Sequence, residues 1–200
     1  MNETHFGSVR VIDGFIDEEI MVNVNEILAY SERVYSGAEQ DGQDSYRTFG
    51  ASEKAFNQIT RYSPPSISLK QNEQYPIKQI FDPLMNKMHK TIQDLWDRET
   101  FIETNYSILG YRVGESLKSH HDDIYNMPTN SGYPKRNISS VLYLNDDYEG
   151  GELNFINQKI KIKPNAGTVV LFPSTERFTH FASKVVSGVK FFVPSLWCFK

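Results

Sequence analysis

The chain has 200 residues, of which 39% are apolar and 23% are charged, and its formal net charge is −4 at pH 7. This length and composition are typical of one soluble globular domain. The sequence has no dense run of lysine and arginine, so it does not predict a long nucleic-acid groove. We therefore expect no nucleic-acid partner.

The cysteine content and the hydropathy of the sequence predict the cellular compartment of the protein. Cys198 is the single cysteine, so no internal disulfide can form, as is usual in a reducing compartment. The N-terminus lacks an apolar signal core, and no apolar run reaches 18 residues. We expect a cytoplasmic protein without a membrane segment, and the sequence leaves its oligomeric state open.

The N-terminal half predicts a short strand followed by two helices. Residues 9–15 have the pattern of a strand that runs into a turn. A helix follows from residue 17, because Ile20, Val24 and Ile27 are spaced as one apolar face. A second helix is expected from residue 76 to about residue 98. Between the helices, residues 37–53 are polar and predict a long loop.

From residue 102 onward the pattern changes to short strands. In residues 160–163 isoleucine and lysine alternate, so the lysines should face water and the isoleucines the core. Further strands are predicted in residues 141–144, 168–172 and 190–193, with glycine- and proline-containing turns between strands. Helices first and strands later favour an α+β fold, mainly β, with helices packed on a sandwich or barrel.

Residues with metal-ligand spacing occur in the strand-rich half. Residues two apart on a strand point to the same face, so a His-x-Asp pair presents an imidazole and a carboxylate together. The sequence offers two such pairs, His120/Asp122 and His121/Asp123, and spacing alone does not choose between them. With the distant His180, either pair would give two imidazoles and one carboxylate. That set holds one face of a non-haem Fe(II) ion and leaves the other positions open for cosubstrate and O2.

Each part of this pattern also has an ordinary structural explanation. The His-x-Asp pairs are equally compatible with surface residues near a turn. His180 lies between Thr179 and Phe181 and close to Phe178, as a core histidine would. The remaining histidines, His5 and His89, fit no comparable motif. The candidate histidine ligands are therefore His180 and the His120/His121 pair.

A longer series of motifs surrounds these residues. In chain order they are Tyr111-x-x-Gly114-x5-His120-x-Asp122, Arg136-x5-Leu142-Tyr143-Leu144-Asn145, Gly150-Gly151-Glu152-x-x-Phe155, Pro164-x-x-Gly167-x4-Phe172, His180 and Gly188-x-Lys190. Together they resemble the signature of the prolyl 4-hydroxylase-like branch of the Fe(II)/2-oxoglutarate dioxygenases. The resemblance covers roughly residues 102–199 in the expected order, whereas the N-terminal half matches only loosely.

The resemblance implies a fold and a ligand set. The fold would be a double-stranded β-helix, or jelly roll, with N-terminal helices packed on one sheet. Residues 1–200 would form one domain, with helical support at 15–98 and the jelly-roll core at 102–199. Counting from Tyr111 and Gly114 selects His120 and Asp122 as ligands, with His180 as the third, and leaves their neighbours on the opposite face.

The resemblance also implies roles for four other residues. Lys190, ten positions after the last histidine, would bind the distal carboxylate of 2-oxoglutarate, since a buried dianion needs a paired cation. Tyr143 would contact the same carboxylate, and Tyr111 would border the pocket. Arg136 matches an arginine that lies near the substrate. Three of these residues also have a structural alternative. Lys190 would reach solvent from a strand end, Tyr143 would belong to the core, and Arg136 would be solvated.

The implied function is an Fe(II)- and 2-oxoglutarate-dependent dioxygenase. It would use O2 to hydroxylate a substrate, foremost a peptidyl proline, and release succinate and CO2, with ascorbate as a candidate reductant. The alternatives are an oxygenase acting on a free amino acid or small metabolite, and a non-catalytic jelly-roll binding module that contains a metal. A nucleobase substrate is disfavoured by the −4 charge.

The chain departs from the family pattern on the substrate side. Leu117 stands where the family often has tyrosine, and Phe181 and Ala182 follow the last histidine in place of Glu-Gly. Trp197 lies seven residues after Lys190 rather than six, and we expect a bulge at Pro194 to absorb the extra residue. The loops at residues 37–53 and 124–135 are predicted to close over a peptide.

Overall fold

The computed structural model describes residues 2–40, 66–67, 77–102, 108–123 and 134–200. The helices are α1 (Glu18–Gln40) and α2 (Ile77–Trp96). The strands are β1 (Asn2–Phe6), β2 (Val9–Asp13), β3 (Ser66–Ile67), β4 (Thr100–Ile102), β5 (Ile108–Tyr111), β6 (Leu117–His120), β7 (Ile138–Tyr143), β8 (Glu149–Gly150), β9 (Leu153–Phe155), β10 (Ile160–Ile162), β11 (Val169–Pro173), β12 (His180–Ala182), β13 (Val185–Ser187) and β14 (Lys190–Phe199).

Two antiparallel sheets make up most of the structure. The larger sheet has the order β1-β2-β11-β7-β14-β5-β3, with β4 also paired to β14. The smaller sheet has the order β10-β9-β12-β6, and β13 and β8 form a separate pair. Apart from the consecutive pairs β1–β2 and β9–β10, neighbouring strands in the two sheets come from distant parts of the sequence, as expected for a jelly roll.

Alternation along the central strand β7 divides the apolar residues into two cores. Ile138 and Leu142 point to one face, where they pack with both helices in a helix-side core. Tyr143 and Val141 point to the other face, where they pack with side chains of the smaller sheet in an inter-sheet core. The architecture therefore confirms the predicted mainly β fold of the α+β class, with helices on one sheet.

The helix-side core explains why α1 and α2 form. Val24 and Ile27 of α1 are buried, as are Met88 and Ile92 of α2, in agreement with their helical spacing. Within the described residues, neither helix is long and apolar enough to cross a membrane. The helices stabilise the outer face of the larger sheet and leave its inner face to the inter-sheet core.

The structure describes only parts of the two loops predicted at residues 37–53 and 124–135. Helix α1 continues through Gln40, so the prediction that the loop begins at Gly37 was wrong. The remainder of that loop, residues 41–53, lies outside the described residues, as do residues 124–133 of the second loop. The proposal that both loops close over a peptide therefore stays a prediction.

The predicted bulge at Pro194 is absent. Strands β14 and β7 pair without a break from Phe192 opposite Tyr143 to Trp197 opposite Ile138. On one side of β14, strand β5 pairs with residues 190–192 and strand β4 pairs with residues 197–199. Pro194 lies between these two stretches, so the N–H group that proline lacks costs no hydrogen bond to either strand.

The unbroken register decides which way Trp197 faces. Its side chain is buried in the helix-side core, its Nε1–H donates to Ser140 Oγ at 2.9 Å, and its ring stacks on His89 with centroids 5.5 Å apart. Leu196, six residues after Lys190, points instead into the space between the sheets.

Candidate active site

His120, Asp122 and His180 meet at one end of the smaller sheet. The two histidines are directly opposed residues on the antiparallel strands β6 and β12, and their ring centroids are 4.4 Å apart. Asp122 Oδ1 lies 3.3 Å from His120 Nε2, and Asp122 Oδ2 lies 3.8 Å from His180 Nε2. One ligand atom from each residue falls within 4.8 Å of the others. Among the described residues, this is the one such group of histidine, cysteine or acidic side chains.

Asp122 is placed by a turn rather than by the strand that was predicted to carry it. Strand β6 ends at His120, and the N–H groups of Asp122 and Asp123 both donate to the carbonyl oxygen of Ser174, at 3.1 and 2.9 Å. Ser139 Oγ donates to Asp122 Oδ2 at 2.6 Å and is itself 2.8 Å from Ser174 Oγ. The carboxylate is therefore fixed by β7 and by the segment after β11.

Hydrogen bonds orient both imidazole rings toward Asp122. His120 Nδ1 lies 2.9 Å from the carbonyl oxygen of Lys118, and His180 Nδ1 lies 3.0 Å from that of Phe178. A carbonyl can only accept, so each Nδ1 carries a proton and, in the neutral ring, each Nε2 keeps its lone pair. Metal-binding histidines are commonly oriented this way. Two such nitrogens and one carboxylate fit Fe(II) with open positions.

Hydrogen bonds and nearby charges favour the ionised carboxylate of Asp122 despite its burial. Burial alone raises the pKa of Asp122. The hydrogen bond from His120 when its ring is protonated, the charges of both histidines in that form and the hydrogen bond from Ser139 outweigh it and hold the pKa well below its usual range. Burial lowers the pKa of His180. For His120 burial also acts downward, but the hydrogen bond to Asp122 and its charge raise the pKa overall.

The second His-x-Asp pair takes no part in this cluster. Asp123 is buried, and its Oδ2 lies 3.9 Å from Lys135 Nζ. His121 is half-buried and is not within the group of candidate ligands. The structure thus brings together the three ligands that the resemblance selected and separates them from their two neighbours.

A cavity of about 250 Å3 lies between the two sheets beside these residues. Its lining includes the three candidate ligands together with Tyr111, Tyr143 and Lys190. The other lining side chains are mostly aliphatic or aromatic, among them Leu109, Leu153 and Phe192. All three residues predicted to bind the cosubstrate therefore face the same space as the metal cluster.

Lys190 is a buried cation without a carboxylate partner in the described part of the chain. Its side chain is 2% exposed, and its Nζ donates to the carbonyl oxygen of Gly151 at 2.6 Å. The rings of Tyr143 and Phe192 lie 5.1 Å from this nitrogen, and that of Tyr111 lies 5.7 Å away. Burial lowers the pKa of Lys190 to about 7, against a smaller opposing effect of Glu152. Such a group favours an anionic ligand.

The two tyrosines beside Lys190 are neutral hydrogen-bond donors. Burial raises the pKa of both Tyr111 and Tyr143, so each hydroxyl keeps its proton at neutral pH. In strands β5 and β7 they flank the lysine: Tyr111 is directly opposite Lys190 on β14, and Tyr143 is opposite Phe192. The arrangement places one ammonium and two phenols around a single region of the cavity.

Arg136 lies outside the cavity lining but close to the metal cluster. It precedes β7, and its Nη1 donates to the backbone carbonyl oxygen of Asp122 at 3.3 Å. This contact supports the turn that carries the carboxylate. The predicted role of Arg136 beside a substrate stays a prediction.

The motifs of the sequence assigned no role to Ser139, whose hydroxyl donates to the carboxylate of Asp122, or to Gly151, whose carbonyl oxygen accepts the hydrogen bond from Lys190 Nζ. The signal for the first was the buried Ser139-Ser140 pair inside the otherwise apolar strand β7, since buried hydroxyls need partners. The signal for the second was the Gly150-Gly151 pair, whose φ angles of 76° and 66° favour glycine.

Comparison with known proteins identifies the family. Residues 106–198 match the model of the 2OG-Fe(II) oxygenase superfamily. They form a 2OG-Fe(II) oxygenase domain. For these residues the match confirms the Fe(II)/2-oxoglutarate oxygenase superfamily predicted from the motifs, and with it the predicted cofactor class of Fe(II), 2-oxoglutarate and O2.

Curated relatives extend the similarity toward the N-terminus. A PKHD-type hydroxylase of Prochlorococcus marinus strain NATL1A is 33% identical over 153 residues, which cover 74% of this chain and 61% of the relative. A second, from strain NATL2A, is 35% identical over 153 residues, with 73% and 61% covered. The chain thus spans about 61% of the length of these relatives.

Solved structures share the fold. A viral collagen prolyl hydroxylase from Paramecium bursaria Chlorella virus-1, in its 2OG complex, superposes with a TM-score of 0.64 at 17% identity, over 96% of each chain. A prolyl hydroxylase from Trichoplax adhaerens, in complex with a hypoxia inducible factor peptide fragment, gives 0.63 at 17% identity, covering 96% of this chain and 84% of that one. These similarities support the jelly-roll assignment.

Proposed function

We propose that this chain is an Fe(II)- and 2-oxoglutarate-dependent dioxygenase that hydroxylates a peptide or protein, with peptidyl proline as the favoured target. The observation that carries the proposal is the coexistence, in one cavity, of three candidate metal ligands and a buried lysine that has no carboxylate partner among the described residues. The reaction converts 2-oxoglutarate, O2 and a substrate C–H bond into succinate, CO2 and a C–OH group.

His120, Asp122 and His180 are the proposed metal ligands. An Fe(II) ion bound there supplies the O2 chemistry that amino-acid side chains lack. The protein holds the ligand atoms in place, through the hydrogen bonds from each Nδ1 and from Ser139. Because these bonds exist before any ligand binds, little reorganisation is needed on metal uptake.

Lys190, Tyr143 and Tyr111 are the proposed residues for the distal carboxylate of 2-oxoglutarate. The ammonium offers charge and the phenols offer neutral hydrogen-bond donors, all at the buried end of the cavity. Apolar neighbours such as Phe192 and Leu153 exclude water, which strengthens the ion pair that a carboxylate would form. A purely structural metal module has no need of a buried cation in that position, which disfavours the binding-module alternative.

The peptide substrate is supported by similarity rather than by contacts. The relatives are PKHD-type hydroxylases, and two of the structures with the same fold are named prolyl hydroxylases, one with a bound peptide fragment. A free amino acid or small metabolite is the second candidate. We also propose a reducing, cytoplasmic setting, since the buried Cys198 is the single cysteine of the chain.

Oxygen-18 labelling tests this function. The Fe(II)-loaded chain is incubated with 2-oxoglutarate, oxygen-18 gas and a library of proline-containing peptides, with and without ascorbate, and the products are analysed by mass spectrometry. We expect one labelled oxygen per modified peptide and one succinate per label, with neither from His120→Ala. Succinate formation that matches wild type in His120→Ala would contradict the assignment. Succinate without any labelled peptide would favour the small-metabolite alternative.

A further inference from the structure

A second cavity lies on the outer face of the larger sheet, where helix α2 crosses strands β4 and β14. Its volume is about 430 Å3, and we call it the outer cavity. Its described lining consists of Asp82, Met85, Asn86 and His89 from α2, Phe101 and Ile102 from β4, and Trp197 from β14. None of these residues lines the cavity between the sheets, so the two cavities are separate.

One wall of the outer cavity is a polar stripe of α2. Asp82, Asn86 and His89 are spaced i, i+4 and i+7, which places their side chains on one face of the helix. A carboxylate has about four acceptor positions, so Asp82 can bind a donor besides any contact that it already makes. The described lining contains no lysine or arginine that would neutralise this charge.

His89 contributes a second acceptor to the same wall. Its Nε2 lies 2.7 Å from the carbonyl oxygen of Thr100. A carbonyl can only accept, so Nε2 carries the proton and, in the neutral ring, Nδ1 keeps its lone pair. The ring stacks on that of Trp197, with centroids 5.5 Å apart, which fixes its orientation. Acceptors next to a negative charge suit a ligand that donates hydrogen bonds and is positively charged.

The opposite wall of the outer cavity is apolar and largely aromatic. Phe101 is 37% exposed on the short strand β4, whereas Trp197 and Met85 are buried beneath the cavity. An aromatic ring attracts positive charge through its quadrupole and buries the apolar part of a ligand. A carboxylate and aromatic rings around one space therefore favour an organic cation.

Other ligand classes fit this cavity less well. A metal ion needs several ligating side chains, but the one group of three in the described part of the chain is His120, Asp122 and His180. An anion would face the carboxylate of Asp82 with no cationic side chain in the described lining. A purely apolar ligand would cover the polar stripe of α2 without satisfying it.

We propose that the outer cavity binds a small organic ammonium ion that carries an aromatic or branched apolar group. Asp82 pairs with the ammonium, and His89 and Asn86 accept hydrogen bonds from it. Phe101 and Trp197 pack against the apolar group. The site is distinct from the proposed metal and 2-oxoglutarate site and does not depend on the proposed function.

The outer cavity lies back to back with the cavity between the sheets. Trp197 lines the first, and its neighbour Leu196 lines the second. Trp197 Nε1 donates to Ser140 Oγ at 2.9 Å, and Ser140 also lines the cavity between the sheets. The indole N–H of Trp197 is therefore a reporter for both spaces, and variants are needed to assign a signal to one of them.

NMR titration of the full chain tests the site. The chain contains two tryptophans, Trp96 and Trp197, and comparison with Trp96→Phe assigns their indole N–H signals. Wild type is titrated with phenethylammonium and, separately, with 2-phenylethanol, its uncharged analogue. We expect a saturable shift of the Trp197 signal with phenethylammonium. Binding of 2-phenylethanol should be about tenfold weaker or more, because it lacks the charged hydrogen bond to Asp82.

Variants place the ligand in the outer cavity. Asp82→Asn removes the negative charge and should weaken phenethylammonium binding about tenfold while leaving 2-phenylethanol binding unchanged. Asp94→Asn, at an exposed position of the same helix, is the matched control and should bind like wild type. Phe101→Ala removes part of the aromatic wall and should weaken phenethylammonium binding about threefold or more.

Three results would overturn the site. They are no shift of the Trp197 signal at the highest phenethylammonium concentration, equal affinity of wild type for the two probes, and equal affinity of Asp82→Asn and Asp94→Asn for phenethylammonium. The first two are measured on wild type, so they stand even if a variant fails to fold. All three are obtained without Fe(II) or 2-oxoglutarate, so they leave the test of the proposed function independent.

Discussion

The ammonium of Lys190 donates a 2.6 Å hydrogen bond to the carbonyl oxygen of Gly151, and three aromatic rings lie 5.1–5.7 Å from the same nitrogen. A backbone carbonyl, not a carboxylate, therefore holds this buried cation in place. The lysine stays available for an anionic ligand, and its burial lowers the free energy of unfolding of the chain.

Lys190→Met should abolish 2-oxoglutarate binding and stabilise the ligand-free chain. The pKa of the lysine is lowered from 10.5 to about 7, so the unfolded chain binds more protons across that interval. This group therefore makes wild type more stable as pH rises through the interval, and its burial cost is largest below it. We expect a gain from the substitution on the order of 1–3 kcal/mol at pH 6 and a smaller gain at pH 9. Thermal unfolding at both values, with calorimetry for 2-oxoglutarate, measures the two effects; destabilisation at pH 6 would contradict the account.

Binding of 2-oxoglutarate should take up a proton above neutral pH. The protonated lysine is the form that pairs with a carboxylate, and a pKa of about 7 leaves the free site increasingly neutral as pH rises. The dissociation constant should increase by up to about tenfold per pH unit above that value. Calorimetry in two buffers of different ionisation enthalpy reports the proton directly. A pH-independent constant between pH 7 and 9 would argue against this role.

Gly151→Ala should disturb the site, and Gly114→Ala is its matched control. Both glycines have positive φ angles, 66° and 91°, so alanine is strained at either position by about 1–2 kcal/mol. At Gly151 the added Cβ would also lie 3.1 Å from Lys190 Cδ, whereas at Gly114 it would meet nothing within 4 Å. Weaker 2-oxoglutarate binding is expected only in the first variant. Equal affinities in the two variants would mean that the turn does not position the lysine.

Ser139→Ala should lower metal affinity by about 10- to 100-fold, because it removes the donor to Asp122 Oδ2. Ser195→Ala serves as the comparison, since the buried Ser195 hydroxyl has no hydrogen-bond partner in the described part of the chain. Competition with a metal chelator measures the metal affinity of both variants. A loss of the same size in the two variants would indicate general destabilisation of β7 and β14 instead.

Much of the site was predictable because its motifs occur in a fixed order over many residues. The ordered series pointed to His120, Asp122, His180 and Lys190, and the structure brings all four to one cavity. The position of Asp122 beyond the end of β6 could not be predicted, because it depends on Ser174, which is 52 residues away in the sequence.

The orientations of Leu196 and Trp197 could also not be predicted from the sequence. A shift of one residue moves a side chain to the other face of a strand, and a bulge at Pro194 would have restored the usual orientation of the tryptophan. Only the register between β14 and β7 shows that the bulge is absent and that leucine faces the cavity.

The central claim is that His120, Asp122 and His180 hold Fe(II) for a reaction that consumes 2-oxoglutarate. Succinate release measured with Fe(II) and 2-oxoglutarate tests it most directly, using His180→Ala and the neighbouring His121→Ala. The account predicts release by wild type and by His121→Ala, and none by His180→Ala or by any of them without Fe(II). Equal release by His180→Ala and wild type, or release that does not depend on Fe(II), would contradict it.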